Sequence, residues 1–165
     1  MKDKSTLIFI VIMVVIVAGL VIWGVSQGDE STSSSPTSDG AEISISPSKF
    51  DFNQVSQKNG VVNTSFTVEN SGTADLIIDD MESSCMCTSA AIVVDGKEGP
   101  KFGMHNNPTN WSATIKPGES AELIVYYDPN VHQDFRGRAT REVIISSNAD
   151  NNSTEKVTIN LTQVD

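Results

Sequence analysis

Alternation between apolar and polar residues, with a period of two, dominates the chain after residue 42. This period is typical of β-strands that bury one face, and the alternating segments are rich in β-branched residues. Turn-forming Gly, Pro, Asn and Asp residues separate them, and no helical stripe of apolar residues follows Val25. The clearest strand segments are 61–68, 123–127, 141–146 and 156–161. The pattern predicts an all-β, immunoglobulin-like β-sandwich of about seven strands.

Apolar packing alone must hold this sandwich together. The chain has two cysteines, and they are too close in sequence to link two sheets as they do in antibody domains. Side chains on the apolar face of each strand are therefore predicted to form the core, with Trp111 beside them. The candidate core residues are Phe50, Phe52, Phe66, Val68, Leu76, Ile78, Ile115, Leu123, Val125, Val143, Ile145, Ile159 and Leu161.

A continuous apolar segment, residues 7–25, precedes the domain and follows Lys2 and Lys4. As a helix it would be about 28 Å long, close to the hydrocarbon thickness of a bilayer. Because no Ala-x-Ala motif precedes its polar boundary, we predict a transmembrane anchor at residues 1–25 rather than a signal peptide cleaved near Ser26. The two lysines favour a cytoplasmic N-terminus. The sequence therefore predicts a single-pass cell-membrane protein whose C-terminal domain is extracytoplasmic.

Composition divides the rest of the chain into a linker and one domain. Residues 26–41 are mainly Ser, Thr, Gly and acidic residues, which predicts a flexible linker. Residues 42–165 are of ordinary length for a single domain. This domain carries most of the net charge of −10, and an acidic surface argues against binding to nucleic acid.

Several short motifs in the domain occur in an order that resembles one bacterial family. They are Phe50-Asp51-Phe52, residues 66–72, Leu76-Ile77-Ile78, residues 84–88, residues 115–119 and Ser147-Asn148. Over nearly all of residues 43–164 the chain resembles the family called domain of unknown function 1573. The resemblance implies an immunoglobulin-type sandwich related to the ASPM-SPD-2-Hydin and major sperm protein domains, exported or membrane-tethered. It implies no reaction. Met86 stands where the family usually has Gly, and the stretch 90–112 is longer than the minimal family pattern.

The two cysteines, Cys85 and Cys87, are the strongest chemical signal in the domain. On an extended strand, side chains two residues apart point to the same face, where two thiols can bind one ion. A disulfide between them is sterically awkward unless the backbone bends, because extended Cα atoms lie at or beyond the upper end of the bridging range. The spacing therefore favours a metal site over a disulfide.

Histidine and methionine residues complete the predicted metal site. Its ligands are Cys85, Cys87, His132 and one of Met104 or His105. Thiolate, thioether and imidazole groups together favour Cu(I), and Zn(II) is possible if only Cys and His take part. A plainer interpretation stays open, because His132 follows a turn and the other two candidates lie in a polar loop, where side chains are usually solvated.

Two further functions are compatible with the sequence. One is a structural or protein-interaction module of the cell envelope, which would use a sheet face, an edge strand or the loop 96–110 to bind a protein partner. The other is thiol–disulfide redox chemistry. Thiolate activation usually needs a nearby cation, and Asp79, Asp80 and Glu82 make the local sequence acidic, which disfavours this hypothesis. Phosphate-loop, zinc-protease and serine-hydrolase motifs are absent from the sequence, which predicts a non-enzymatic protein.

Overall fold

The structure is a computed structural model that describes residues 40–165, and these residues form ten β-strands and one short 3-10 helix. The strands are β1 (Ile43–Ser46), β2 (Lys49–Ser56), β3 (Val62–Asn70), β4 (Leu76–Ser83), β5 (Thr88–Val94), β6 (Lys97–Glu98), β7 (Ala113–Ile115), β8 (Ser120–Tyr127), β9 (Gly137–Ser147) and β10 (Thr154–Val164). The 3-10 helix, Gln57–Asn59, follows β2. Within this range no helix is long and apolar enough to cross a bilayer. The predicted anchor lies outside the described residues.

The strands form two five-stranded sheets, which confirms the all-β prediction. One sheet has the order β1-β3-β8-β5-β6 and the other β2-β10-β9-β4-β7. Neighbouring strands are antiparallel, except that β2 runs parallel to β10. The strand count exceeds the predicted seven because β1, β6 and β7 are edge strands of four, two and three residues. Strands this short leave almost no periodic signal in a sequence.

Both sheets contribute side chains to one hydrophobic core, as in a β-sandwich. The predicted core residues are buried, with two exceptions on β2. Phe50 is 38% exposed and packs edge-on against the partly buried Phe52, with ring centroids 4.9 Å apart. The prediction was wrong for Phe50 because β2 is an edge strand whose first residues are exposed. Trp111 is partly buried against the core, where its ring lies 5.0 Å from that of the buried Phe102.

A buried asparagine at the end of β3 links the two sheets. The Nδ2 of Asn70 donates to the carbonyls of Ala74 and Ile115, each at 2.8 Å, and Ile115 belongs to the other sheet. Its Oδ1 accepts from the amide of Gly72 at 3.0 Å. A Cβ at Gly72 would collide with the carbonyl oxygen of Gly40, so this turn requires glycine. The motif 66–72 therefore fixes the junction of the two sheets.

Candidate functional site

The sheet topology brings two connections together at one end of the sandwich. Residues 84–87 connect β4 to β5, and residues 128–136 connect β8 to β9. Because β4 pairs with β9 and β5 pairs with β8, both connections cross between the sheets side by side. The amide of Asp128 donates to the carbonyl of Cys87 at 2.8 Å and joins them. Cys85 and His132 therefore meet although they are 47 residues apart.

The cysteines lie in a tight turn. The amide of Thr88 donates to the carbonyl of Cys85 at 3.0 Å, and that of Cys87 donates to the Sγ of Cys85 at 3.3 Å. The hydroxyl of Ser83 lies 2.9 Å from the carbonyl oxygen of Cys85 and 2.7 Å from that of Thr88. This bend brings the Cα atoms of Cys85 and Cys87 to 5.2 Å, and the two residues form a disulfide. The prediction of two thiols on an extended strand was wrong, because the strand ends at Ser83.

The two sulfur atoms have different surroundings. Cys87 is 2% exposed, whereas Cys85 is only partly buried. The Nε of Arg141 donates to the Sγ of Cys87 at 3.1 Å. The Nε2 of His132 lies 3.3 Å from the Sγ of Cys85. Each sulfur therefore has one nitrogen-bearing side chain beside it, and only Cys85 is open to solvent.

Arg141 is the residue of this candidate site that was not predicted from the sequence. It lies two residues before the buried Val143 on β9, so the alternation places it on the core face of the strand. A charged residue on the core face of a strand indicates that a partner group lies nearby, because buried charges are normally paired. The acidic side chains of Asp79, Asp80 and Glu82 are exposed on β4. The expectation that no cation lies near the sulfurs was therefore wrong.

The predicted metal ligands are brought together only in part. Among the described residues, the Sγ atoms of Cys85 and Cys87 and a ring nitrogen of His132 form a group of possible ligand atoms within 4.8 Å of one another. His105 is outside this group. Met104 is 36% exposed on the same loop as His105, and its role as a ligand stays a prediction.

An open cleft lies beside the disulfide. It has a volume of about 530 Å³, and its walls are formed by residues 131–135 and Arg141. His132 and Arg141 line the cleft and also contact the two sulfurs. The apolar part of the wall comes from Val131, which is 40% exposed, and from Phe135. A ligand in this cleft would therefore lie against His132 and Arg141, the two side chains that contact the sulfurs.

Solved structures with a similar fold share little sequence with the chain. A protein of unknown function from Porphyromonas gingivalis W83 has a TM-score of 0.57 and 14% identity, over 80% of this chain and 51% of that one. A family 123 glycoside hydrolase from Clostridium perfringens has a TM-score of 0.50 and 10% identity, over 76% and 27%. The ASH / PapD-like domain of human CEP192 has a TM-score of 0.49 and 11% identity, over 76% and 87%. At these identities the likeness concerns the fold alone.

The chain spans about half the length of the Porphyromonas gingivalis protein. No curated protein is a significant match to the chain. Residues 43–98, about a third of the chain, match the family described as "Protein of unknown function (DUF1573)". The matched segment contains Cys85 and Cys87 but ends before His132 and Arg141. The resemblance drawn from the sequence motifs is therefore confirmed over residues 43–98, where the chain matches the DUF1573 family model.

Proposed function

We propose that the domain is a thiol–disulfide exchange protein whose redox couple is the Cys85–Cys87 pair. The observation that carries the proposal is the pair of nitrogen-bearing side chains, His132 beside Cys85 and Arg141 beside Cys87. Cationic and imidazole groups next to a sulfur favour the thiolate, which is both the nucleophile and the leaving group in exchange. A structural disulfide has no need of such neighbours.

The unequal burial of the two sulfurs assigns their roles. A thiolate of a partner that carries two thiols attacks the Sγ of Cys85, the accessible sulfur. The Cys85–Cys87 bond breaks, and Cys87 leaves as a thiolate that the Arg141 guanidinium stabilises. The second partner thiolate then attacks the partner sulfur of the mixed disulfide and releases Cys85 as a thiolate beside His132. Two electrons pass to the domain, and the partner is left with a disulfide.

The proposal includes a cellular setting. A disulfide persists outside the cytosol, which agrees with an anchor at residues 7–25 and an extracytoplasmic domain. The partner is then an envelope protein with paired thiols. We keep the prediction that the protein is not an enzyme, in the sense that each domain oxidises one partner stoichiometrically.

Replacement of Arg141 by methionine is expected to slow reduction of the disulfide by dithiothreitol. A hydrogen bond to a charged group contributes about 1.5–3 kcal/mol, so the loss of the guanidinium at Cys87 should slow the reaction about 10- to 100-fold. The measurement is the rate of thiol release from the full-length protein in detergent at a fixed pH. Arg141→Lys should retain part of the rate because the positive charge remains.

Arg138→Met is the matched control for this measurement. Arg138 lies on the same strand, but its side chain is exposed and lines a different cleft, next to Asp51 and Thr140. Its replacement should leave the rate unchanged. Equal rates for Arg138→Met and Arg141→Met would show that Cys87 needs no guanidinium and would remove the main support for the exchange function.

Soft-metal binding by the reduced protein is a second candidate function. The observation that favours it is the group of Cys85, Cys87 and His132, whose possible ligand atoms lie within 4.8 Å of one another. Two thiolates and an imidazole suit Cu(I) or Zn(II). The Arg141 guanidinium disfavours a cation at Cys87, which is why this function takes second place.

Metal titration separates the two candidates. If the reduced protein binds Cu(I) or Zn(II), His132→Ala should weaken binding by at least about tenfold. Loss of a residue that only hydrogen-bonds to a metal ligand already lowers metal affinity by about that factor. His105→Ala is the matched control and should leave the affinity unchanged, because His105 is outside the ligand group. The measurement is competition against a chromogenic chelator after reduction with a phosphine. An equal affinity in the Cys85→Ser/Cys87→Ser variant would exclude this site.

A further inference from the structure

Two glutamine side chains contact the connection that carries His132. The connection between β8 and β9, residues 128–136, contains no strand, so the sheet ladders do not fix its backbone. Gln163 belongs to β10, and Gln57 begins the 3-10 helix after β2. Because β2 and β10 run parallel and end side by side, both glutamines lie at the same end of the second sheet. From there their amides reach the connection.

Gln163 contacts the connection from inside the protein. Its side chain is 1% exposed, and its Nε2 lies 2.9 Å from the carbonyl oxygen of Pro129, 3.3 Å from that of His132 and 3.1 Å from that of Phe135, which share its two hydrogens. The hydroxyl of Tyr127 donates to its Oε1 at 2.6 Å. This bond orients the amide so that the nitrogen faces the three carbonyls. Burial raises the pKa of Tyr127, with Arg141 acting in the opposite direction, so the hydroxyl keeps the proton that it donates.

Gln57 contacts the same connection from the surface. Its Nε2 lies 3.1 Å from the carbonyl oxygen of Pro129, 3.5 Å from that of His132 and 2.8 Å from that of Gln133, which share its two hydrogens. The Oε1 of Gln57 accepts from Arg136 at 2.8 Å. Two amides, one from β10 and one from the 3-10 helix after β2, therefore converge on the same two carbonyls, those of Pro129 and His132.

We propose that Gln57 and Gln163 are positioning residues that hold His132 beside the sulfur of Cys85. The role rests on the proposed exchange function, because it matters only if His132 assists Cys85. The backbone of a connection without strand pairing has several accessible conformations, and the shared carbonyl contacts select one of them. The imidazole then stays within 3.3 Å of the sulfur.

The ring signal of His132 in NMR spectra tests the geometry directly. The chain has two histidines, so the His132 signal is the one missing from the His132→Ala variant. In the wild-type protein, reduction of the disulfide with a phosphine should shift this signal, because the sulfur next to the ring becomes a thiol or thiolate. Gln57→Ala and Gln163→Met should each lose most of this redox-dependent shift. Tyr126→Phe, which removes a hydroxyl from the same strand that donates to Glu98 and to neither glutamine, should keep it.

Exchange kinetics give the second measurement. Reduced full-length protein in detergent reacts with cystine, and the loss of the reduced form is followed by mass spectrometry. Gln57→Ala should lower this rate by about tenfold, within the range that small misplacements of a reacting group produce. In the His132→Ala background, the further change Gln57→Ala should have no effect, because both changes remove the same contact.

The outcomes separate this inference from the function on which it rests. Wild-type shifts and rates in folded Gln57→Ala and Gln163→Met proteins would overturn the positioning role. If Gln163→Met does not fold, the Gln57→Ala variant tests the positioning role by itself, because Gln57 is partly exposed and its replacement is better tolerated. If the wild-type protein does not exchange with cystine while the redox-dependent shift of His132 still needs both glutamines, the exchange function is lost and the positioning of His132 stands.

Discussion

The Cys87→Ser variant is expected to accumulate as a mixed disulfide through Cys85 when it is treated with cystine. Cys85 is the accessible sulfur, so its thiolate attacks cystine, forms a disulfide with one half and releases the other half as cysteine. Without Cys87, no internal thiol can displace the bound half. The reciprocal variant, Cys85→Ser, leaves only the buried Cys87 and should react at least about tenfold more slowly. Mass spectrometry of the intact protein over time measures both rates.

The wild-type protein is the control for this prediction. It should release the bound half by attack of Cys87 on the Sγ of Cys85, which re-forms the internal disulfide, so the adduct should be transient. An equal rate for the two single-cysteine variants would contradict the assignment of Cys85 as the attacking residue. A stable adduct in the wild-type protein would show that Cys87 does not act as the resolving thiol.

Phe66→Ala is expected to cause a large loss of stability. Phe66 is 1% exposed on β3, where it is paired with Leu123 of β8, and both side chains belong to the core. Removal of a buried phenyl ring lowers the free energy of unfolding by about 3–5 kcal/mol. Because domains of this size are stable by only about 5–15 kcal/mol, the variant should be close to unfolding. Urea unfolding followed by circular dichroism measures the change.

Phe50→Ala is the matched control, since it removes the same ring from a different environment. Phe50 is 38% exposed on the edge strand β2. Its ring packs edge-on against the ring of Phe52. An edge-to-face aromatic pair contributes about 0.5–1.5 kcal/mol, so the loss should be about 1 kcal/mol. Similar losses for the two variants would mean that Phe50 is as well packed in solution as Phe66.

The alternation of residues was sufficient to predict the fold class and most of the core. It succeeded in β3, β8, β9 and β10, because a long strand with one buried face repeats its signal several times. It failed for Phe50, because an edge strand can place apolar residues at the surface while keeping the same alternation. The edge strands β1, β6 and β7 were not predicted, because each has too few residues to show an alternating pattern.

Cys85, Cys87 and His132 of the candidate site were predicted from the sequence, but its geometry was not. The pairing of His132 with Cys85 depends on two crossings between sheets, which a single sequence does not specify. The turn at Cys85 depends on hydrogen bonds from Ser83 and Thr88, and the sequence gives no direct indication that β4 ends before the cysteines. Arg141 was predictable in principle from its register on β9.

The turn around the disulfide has a consequence for how the protein tolerates a change of oxidation state. The bond encloses a single residue, Met86, so it restricts the unfolded chain far less than a long-range cross-link, by about 1–2 kcal/mol. The backbone of the turn is held independently, since the amide of Ser84 donates to the carbonyl of Glu142 and the amide of Glu142 donates to the hydroxyl of Ser84, each at 2.9 Å. We therefore expect the scaffold to stay intact when the bond opens. Under the proposed exchange function, an electron pair would be stored or given up at this end of the protein without any need to refold it.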